Sequence, residues 1–160
     1  MDKGTYGRKD RLIQEWRHDA YRNREKLPEP SLCSECKALF VNGRWTWNVP
    51  ETDTHDVLCP ACKRIADKYP AGTIEIRGDF YTQHRLQITN LINNVEKQEK
   101  DERPLERIMD STDRDDGTLI TTTGVHLARR IGEALSNSYQ GDFAFQYAEG
   151  DKKIRVQWQR

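Results

Sequence analysis

The stretches CSEC (33–36) and CPAC (59–62) contain all four cysteines of the 160-residue chain. In each stretch, two cysteines separated by two residues set two sulfurs at one edge of a metal ion, and the two pairs together complete a tetrahedral four-sulfur site. A closed site of this kind has no open position for chemistry, so the spacing predicts a structural zinc ion. The predicted ligands are Cys33, Cys36, Cys59 and Cys62.

Two other uses of the cysteines are a pair of disulfides and a thioredoxin-like redox pair. One C-x-x-C motif is enough for redox chemistry, and nothing in the sequence indicates export to an oxidising compartment. His55 lies shortly before Cys59 and is an alternative ligand or neighbour of the metal, although four cysteines already complete the coordination.

The bulk composition predicts a protein of one or two small domains. The hydrophobic fraction is 35% and the charged fraction is 32%, so the cores must be small, and a metal commonly stabilises such a module. No apolar stretch resembles a signal peptide or has the length of a membrane span. We therefore expect a cytoplasmic protein with no membrane partner.

The charges are balanced over the whole chain but not along it. Lysine and arginine together number 26, as do aspartate and glutamate. Residues 1–27 carry eight basic and five acidic side chains, so a mildly basic arm precedes a mildly acidic body. Overall neutrality is unusual for an RNA-binding protein, but a basic arm permits contacts with phosphates.

The sequence divides into three segments. Leu12, Ile13 and Trp16 recur at helical spacing and predict a short amphipathic helix over about residues 9–25. Pro28 and Pro30 then form a stiff linker, because each proline holds the preceding residue extended. The predicted segments are a basic N-terminal arm (1–30), a four-cysteine zinc module (31–72) and an α+β domain (73–160).

The zinc module is predicted to be a treble clef or a zinc ribbon. Asn42-Gly43 lies between two apolar runs and is a strong hairpin signal, with strands at Phe40-Val41 and at residues 44–47. The second cysteine pair leads directly into residues 63–69, which have a helical pattern. A hairpin between two cysteine pairs, with the second pair at the start of a helix, favours the treble clef.

From Thr73 onward the apolar periodicity alternates between that of strands and that of helices. A period of two predicts strands, and apolar residues at i, i+3, i+4 and i+7 predict helices. The predicted order is β-α-β-β-α-β-β, an α+β sandwich that is ferredoxin-like with an added terminal hairpin. The predicted strands are 73–77, 105–112, 118–122, 143–147 and 154–158, and the predicted helices are 81–99 and a second that begins after a cap at Thr122 or Thr123 and includes Leu135.

No group of residues has the spacing of a catalytic site. The glycines near the N-terminus are not followed by the Lys-Ser/Thr pair of a phosphate-binding loop. Asp113, Asp115 and Asp116 fall in a predicted turn, where aspartate is favoured for its backbone hydrogen bonds. His84 and His126 each begin a predicted helix beside a core face. We therefore expect a non-enzymatic protein with no small-molecule substrate.

Aromatic and cationic side chains around the zinc module indicate RNA binding. Guanidinium and indole groups stack on splayed RNA bases, and lysines pair with phosphates. The alternative is that Trp45 and Trp47, on one face of a strand, cover the zinc hairpin as its core. The candidate RNA-binding residues are Arg44, Trp47, Lys63 and Arg64, with Arg8, Lys9 and Arg11 in the basic arm.

A second basic strip is conceivable in the α+β domain. Arg129 and Arg130 lie on the outer face of the second predicted helix, and Lys153 and Arg155 lie on the polar face of the last strand. The two pairs form one strip only if they lie on the same side of the sheet, which the sequence leaves open. The default interpretation is a solvated charged face.

The stretch from Cys33 to Arg160 resembles the zinc-knuckle and α+β region of the large-ribosomal-subunit export adaptors, the nonsense-mediated-decay-three family. The similarity lies in the paired C-x-x-C motifs, in IEIRG (74–78) and in DGTLITTTGVHLA (116–128). The resemblance implies a zinc-supported platform that contacts ribosomal RNA or ribosomal protein. The adaptors have more C-x-x-C pairs and a longer C-terminal half, so recruitment of an export receptor is not implied.

The chain is also similar to a short bacterial family in which some members are labelled ATPase, although it contains no Walker sequence. Besides an enzyme with a cryptic site or redox cysteines, two functional hypotheses follow. The first is a non-enzymatic factor that associates with the ribosome or RNA through its zinc module and basic arm. The alternative is a protein-interaction adaptor that binds a protein partner through the zinc module and N-terminal helix.

Overall fold

A computed structural model of the protein describes residues 26–148, 150 and 152–160. These residues form a four-stranded sheet beside the cysteines and a five-stranded sheet that carries helices on one face. The prediction of a mixed α+β chain with a cysteine cluster is confirmed. The helix predicted over residues 9–25 and the candidate contacts Arg8, Lys9 and Arg11 lie outside the described residues.

The four-stranded sheet and the helix that follows it form the metal module. Strands β1 and β4 were not predicted, because three residues are too few to show a period of two. β1 is antiparallel to β2 and parallel to β4, and the sheet order is β3-β2-β1-β4. The elements are β1 (Ser31–Cys33), β2 (Leu39–Val41), β3 (Arg44–Thr46), β4 (His55–Val57) and α1 (Pro60–Asp67).

Local sequence explains the hairpin and the helix of this module. Asn42 and Gly43 have φ values of 55° and 77°, the left-handed conformations of a type I′ turn, so the predicted hairpin is confirmed. Cys59 is the N-cap of α1, and its sulfur accepts a hydrogen bond from the Cys62 N–H. Pro60 occupies the first turn, where its missing N–H is tolerated. The helix therefore begins before the predicted residue 63.

The five-stranded sheet has the order β6-β7-β5-β9-β8. Its elements are β5 (Gly72–Arg77), α2 (Asp79–Gln83), α3 (Arg85–Glu102), β6 (Ile108–Arg114), β7 (Gly117–Thr122), α4 (Val125–Tyr139), β8 (Asp142–Ala148) and β9 (Lys153–Gln159).

The position of β9 differs from that of an appended hairpin. β5 is antiparallel to β7 and parallel to β9, and β8 lies at the edge beyond β9. In a ferredoxin-like sheet the strand that follows the second helix lies beside the first strand. Here β9 lies between these two strands, so the terminal hairpin enters the sheet and makes it mixed.

The core of the α+β domain lies between the sheet and helices α3 and α4. Leu127 of α4 and Val156 of β9 are fully buried, and Trp158 is 1% exposed. Gly132 allows α4 to approach the sheet closely, because a Cβ there would overlap the side chains of Phe143 and Val156. The shared apolar face confirms the helical and strand periodicities of this region.

Two predicted boundaries were wrong. The helix predicted over 81–99 is broken at His84, which has φ −116° and ψ 24° and stacks on Phe80 at 4.0 Å. The strand predicted over 105–112 begins only at Ile108, because Pro104–Arg107 crosses to the cysteine cluster instead of joining the sheet.

The predicted threonine cap of α4 was also wrong. The N-cap is Gly124, and it makes no side-chain cap hydrogen bond. The Thr122 hydroxyl donates to the Gly124 carbonyl, and the Thr123 hydroxyl accepts from the Arg107 N–H at 2.8 Å. The hydroxyl groups therefore connect segments around the helix start and do not satisfy its free N–H groups.

Candidate metal centre

Four cysteine sulfurs converge where β1 meets the start of α1. Cys33 ends β1, Cys36 lies in the turn that follows, and Cys59 and Cys62 belong to the cap and first turn of α1. The four sulfurs lie within 4.8 Å of one another, and those of Cys36 and Cys59 are 3.7 Å apart. A tetrahedron with metal–sulfur bonds of about 2.3 Å has edges of about 3.8 Å. The sulfurs are therefore positioned to bind a metal ion.

Backbone N–H groups donate to two of the sulfurs and so favour the thiolate form that binds a metal cation. The Cys59 N–H donates to the Cys33 sulfur, and the Cys62 N–H donates to the Cys59 sulfur, each at 3.3 Å. Burial alone would raise the pKa of Cys33, but hydrogen bonds from the backbone of Cys36, Cys59 and Glu35 outweigh it and lower the pKa to about 6. The lowered pKa favours the thiolate form of Cys33, which is the form that binds a metal ion.

The other two buried cysteines behave in the opposite way. Burial raises the pKa of Cys59 and of Cys62 above the ordinary thiol value, and hydrogen bonds from the Arg107 guanidinium oppose the rise at Cys62. Several adjacent thiolates in a buried site repel one another. A divalent cation removes this obstacle by binding the thiolates and releasing their protons, so metal affinity should rise with pH.

Arg107 belongs to the metal centre, although sequence reasoning did not find it. Its guanidinium donates to the sulfur of Cys36 at 2.9 Å, of Cys62 at 3.2 Å and of Cys59 at 3.6 Å. Its side chain lies 45 residues beyond Cys62 in sequence and comes from the other unit of the fold. A pattern of cysteine spacings contains no signal for such a contact.

Hydrogen bonds to Thr123 and Pro104 hold Arg107 in place. Its backbone N–H donates to the Thr123 hydroxyl at 2.8 Å, its carbonyl accepts from the Thr123 N–H at 2.9 Å, and its Nε donates to the Pro104 carbonyl at 2.8 Å. Burial alone would lower the pKa of Arg107, but the hydrogen bonds to Cys62 and Cys36 raise it. The guanidinium therefore stays charged beside the sulfurs.

Pro104–Arg107, named here the bridging segment, connects the two units. Leu105 packs against the cysteine cluster. Glu106 accepts a hydrogen bond at 3.1 Å from the N–H of Leu127 and so satisfies a free donor in the first turn of α4. A Cβ on Gly124 would overlap the Glu106 carboxylate, so glycine at the N-cap leaves the space that the Glu106 side chain occupies.

The two tryptophans of the metal module pack against the cysteine cluster and remain partly exposed. Trp45 and Trp47 are half-buried against the cysteine cluster, and the Trp45 ring lies 5.3 Å from that of Phe40. The Trp47 Nε1–H donates to the Lys100 carbonyl at 2.7 Å, and the Arg107 guanidinium lies 5.7 Å from its ring centre. Of the two interpretations of these tryptophans, the structure favours cover for the metal site.

An open groove of about 630 Å³ lies between the metal module and the end of α3. One wall is the β3 side, where Arg44 is exposed and Trp45 half-buried, and the other includes Asp101, Glu102 and Arg103. β3 is an edge strand of its sheet, so the groove also runs beside unpaired backbone groups. The complete lining is Arg44, Trp45, Thr46, Trp47, Asn48, Asp101, Glu102, Arg103, Pro104, Leu105 and Glu106.

The structure does not bring all the candidate RNA contacts of the metal module together. Arg44 and Trp47 line the groove, whereas Lys63 is exposed on α1 and does not line it. Arg64 is 5% exposed and donates to the Tyr69 carbonyl at 3.2 Å. Arg64 is therefore an internal residue, and the proposed surface has to be built without it.

The second basic strip does not form. Arg155 alternates with Ile154 and Val156, which face the helices, and so lies on the opposite face of the sheet. Arg129 lies on the helix side, where its guanidinium is 4.7 Å from the Phe145 ring centre. The cations of α4 and β9 thus lie on opposite sides of the sheet.

The histidines of the described chain lie outside the sulfur cluster. His55 is exposed in β4, and the group of ligand atoms found there contains cysteines alone. The ring of His84 contacts the Phe80 carbonyl at 2.9 Å, and His126 lies 3.3 Å from the Glu99 carboxylate. Both residues lie at the starts of helices, α3 and α4, as the sequence predicted, and both are half-buried.

No protein-family model matches the chain, and no curated protein is significantly similar to it in sequence. The resemblance to the ribosomal export adaptors therefore stays a prediction. Across the part of the chain that the structure describes, no helix combines the length and apolar character needed to cross a bilayer. The geometry of the metal centre and of the adjoining groove has to carry the functional argument.

Proposed function

We propose that this protein is a non-enzymatic zinc-binding factor that associates with RNA, on the ribosome or free, through the groove beside its metal centre. Four thiolates match the ligand preference of zinc, and a site closed by four protein ligands keeps no position for a substrate. Zinc then has a structural role, because it holds the module that forms one wall of the groove.

The observation that carries the proposal is that Arg44, which is exposed, lines the groove together with the half-buried Trp45. Arg44 lines the groove directly after the Asn42-Gly43 turn, and Arg103 lines it from the opposite wall, with its side chain 51% exposed and its guanidinium 3.7 Å from the Glu99 carboxylate. Two cations on facing walls can contact successive phosphates of a single strand, while the indole edge meets a base. The basic arm, with Arg8, Lys9 and Arg11, would add further phosphate contacts.

The test measures the affinity of the zinc-loaded protein for a fluorescent single-stranded RNA and for purified ribosomal particles. The test variant is Arg44→Glu, and the controls are Lys63→Glu, which is exposed on α1 outside the groove, and Arg114→Glu on the exposed part of β6. We expect Arg44→Glu to weaken binding and to lower the salt dependence by about one counterion for each lost phosphate contact. Unchanged affinity of Arg44→Glu, with zinc content and folding intact, contradicts the proposal.

A protein-interaction adaptor is the second candidate, and the acidic wall of the groove favours it. Asp101 and Glu102 lie opposite Arg44 and would repel a phosphate backbone. An extended peptide could instead pair with the open edge of β3 and place a basic side chain on this wall.

Reversing the acidic wall separates the two candidates. Asp101→Lys combined with Glu102→Lys should strengthen RNA binding, because it removes repulsion, and should weaken the binding of a basic peptide. RNA binding should also fall steeply with added salt, whereas binding governed by backbone pairing and apolar contacts should not. A double variant that leaves RNA affinity unchanged argues against phosphates in the groove.

A further inference from the structure

Arg107 connects the two units of the fold at the point where the metal is bound. It is 7% exposed, and its backbone is bonded in both directions to Thr123 of the α+β domain. Its guanidinium ends among the sulfurs of Cys36 and Cys62 in the metal module. A buried side chain bound at both ends ties the position of one unit to that of the other.

The charges make this connection depend on the metal. Four thiolates around a divalent cation have a net charge of −2, and the adjacent guanidinium reduces it to −1. Removing one member of a buried ion pair is strongly destabilising, because the remaining charge has neither water nor a partner. The metal-loaded thiolates and the inserted Arg107 therefore stabilise each other.

The same side chain lies behind the groove. Arg107 lies under the ring of Trp47, and the Trp47 Nε1–H bonds to the Lys100 carbonyl at the end of α3. The bridging segment that carries Arg107 also forms part of the opposite wall. Both walls of the groove thus depend on contacts that end at the cysteine sulfurs.

We infer that Arg107 is a positioning residue that couples metal loading to the arrangement of the two groove walls. The groove then takes its binding-competent shape only in metal-loaded protein. The inference rests on the proposed function only in that the groove is the binding site. Because linkage is reciprocal, formation of the binding-competent groove raises metal affinity by the same factor by which the metal favours that form of the groove.

Hydrogen exchange of the full chain, zinc-loaded and after chelation, tests the coupling. The two reporter segments are residues 44–48 and 101–106, one on each wall of the groove. In the native protein we expect chelation to increase exchange in both segments. In Arg107→Met, which keeps an unbranched apolar stem but removes the charge and the donors, segment 101–106 should exchange rapidly with zinc bound and respond little to chelation.

Zinc affinity, measured by competition with a chromogenic chelator, is the second readout. Loss of a group that hydrogen-bonds metal ligands typically lowers metal affinity by about 10–100-fold, and we expect Arg107→Met to fall in this range. Arg107→Lys keeps the charge but cannot reach several sulfurs at once, so it should recover part of the affinity. The matched control is Arg114→Met, an exposed arginine of β6 outside the groove, which should leave zinc affinity unchanged.

Native zinc affinity together with a native chelation response of segment 101–106 in Arg107→Met would overturn the inference. If Arg107→Met does not fold, the same two readouts in Arg107→Lys decide, since this variant keeps the buried charge. Neither readout uses RNA, so these measurements test the coupling separately from RNA binding. The coupling can hold while RNA binding fails, and RNA binding can hold while the coupling fails.

Discussion

The metal module and the α+β domain are held together by different means. Around the sulfurs the buried residues are small, namely Cys33, Ala38, Cys59, Ala61 and Cys62, and the two tryptophans that cover them are only half-buried. The α+β domain buries large apolar side chains from three strands, β5, β7 and β9, and from both long helices. A core of five small residues cannot offset the entropy of ordering its chain, and an ion held by the four sulfurs would supply the stability that packing does not.

The strongest test of this difference is removal of the metal. Chelation, or Cys59→Ser, should unfold residues 31–67 and leave strands β5–β9 protected, because the binding free energy of a structural zinc, about 10–16 kcal/mol, is folding free energy. Serine can still cap α1, so the substitution isolates the loss of a metal ligand. Hydrogen exchange of the two regions measures the outcome.

Ser34→Ala, an exposed change within the first cysteine pair, is the control and should keep both zinc and protection. Persistent protection of residues 31–67 without metal would contradict the view that the metal replaces a core in this module.

A cavity in the core of the α+β domain should destabilise that domain and leave the metal module intact. Leu135 is fully buried in α4, so Leu135→Ala should lower the free energy of unfolding of the α+β domain by about 2–5 kcal/mol and leave zinc content unchanged. Leu86→Ala, on a helix of the same domain but 75% exposed, should change it by about 0.5 kcal/mol or less. Urea denaturation with a zinc assay measures both effects. Zinc release from Leu135→Ala at urea concentrations at which the native protein keeps its zinc would show that the stability of the metal module depends on that of the α+β domain.

The smallest expected effect concerns Glu106, where the two units meet. Burial raises the pKa of Glu106 above its ordinary value of 4.5, the Leu127 N–H opposes the rise, and the nearby Glu99 adds to it. The folded protein thus holds this proton more tightly than the unfolded chain. The contribution of the carboxyl to stability is present below its ordinary pKa and is lost as pH rises through the folded pKa.

Glu106→Gln keeps an acceptor for the Leu127 N–H but cannot ionise. As the pH rises above the ordinary carboxyl pKa of 4.5, the stability of the native protein relative to this variant should therefore decline. Zinc release at low pH affects both proteins, so the difference between them at each pH is the quantity to measure, with saturating zinc. The exposed Glu102→Gln serves as control, and a flat difference would show that Glu106 does not hold its proton in the fold.

The parts that sequence predicted are those encoded locally. The metal ligands follow from two C-x-x-C spacings, the hairpin from Asn42-Gly43, and the strands of the α+β domain from a period of two. The parts that it missed depend on distant partners. Arg107 reaches the sulfurs only because Pro104 and Leu105 divert the chain from the sheet, and nothing in a pattern of apolar residues records that path.

The same limit applies to the sheet order and to the candidate binding residues. Alternation in residues 143–147 and 154–158 predicts a hairpin, but either of its strands could pair with β5. Arg64 has the charge of a phosphate contact, and only its 5% exposure shows that it is internal. Periodicity reports which residues share a face, whereas exposure and strand order depend on how the faces assemble.

The central position of β9 also affects the order in which the protein can assemble during synthesis. β5 pairs with β9 over its whole length, with Gly72 opposite Ile154, so the larger sheet cannot close until the chain has been made almost to residue 159. The contacts among the strands and sulfurs of the metal module all lie within residues 31–67. A nascent chain supplied with metal can thus complete its first folded unit long before its second, while Arg107, which joins them, is translated between the two events.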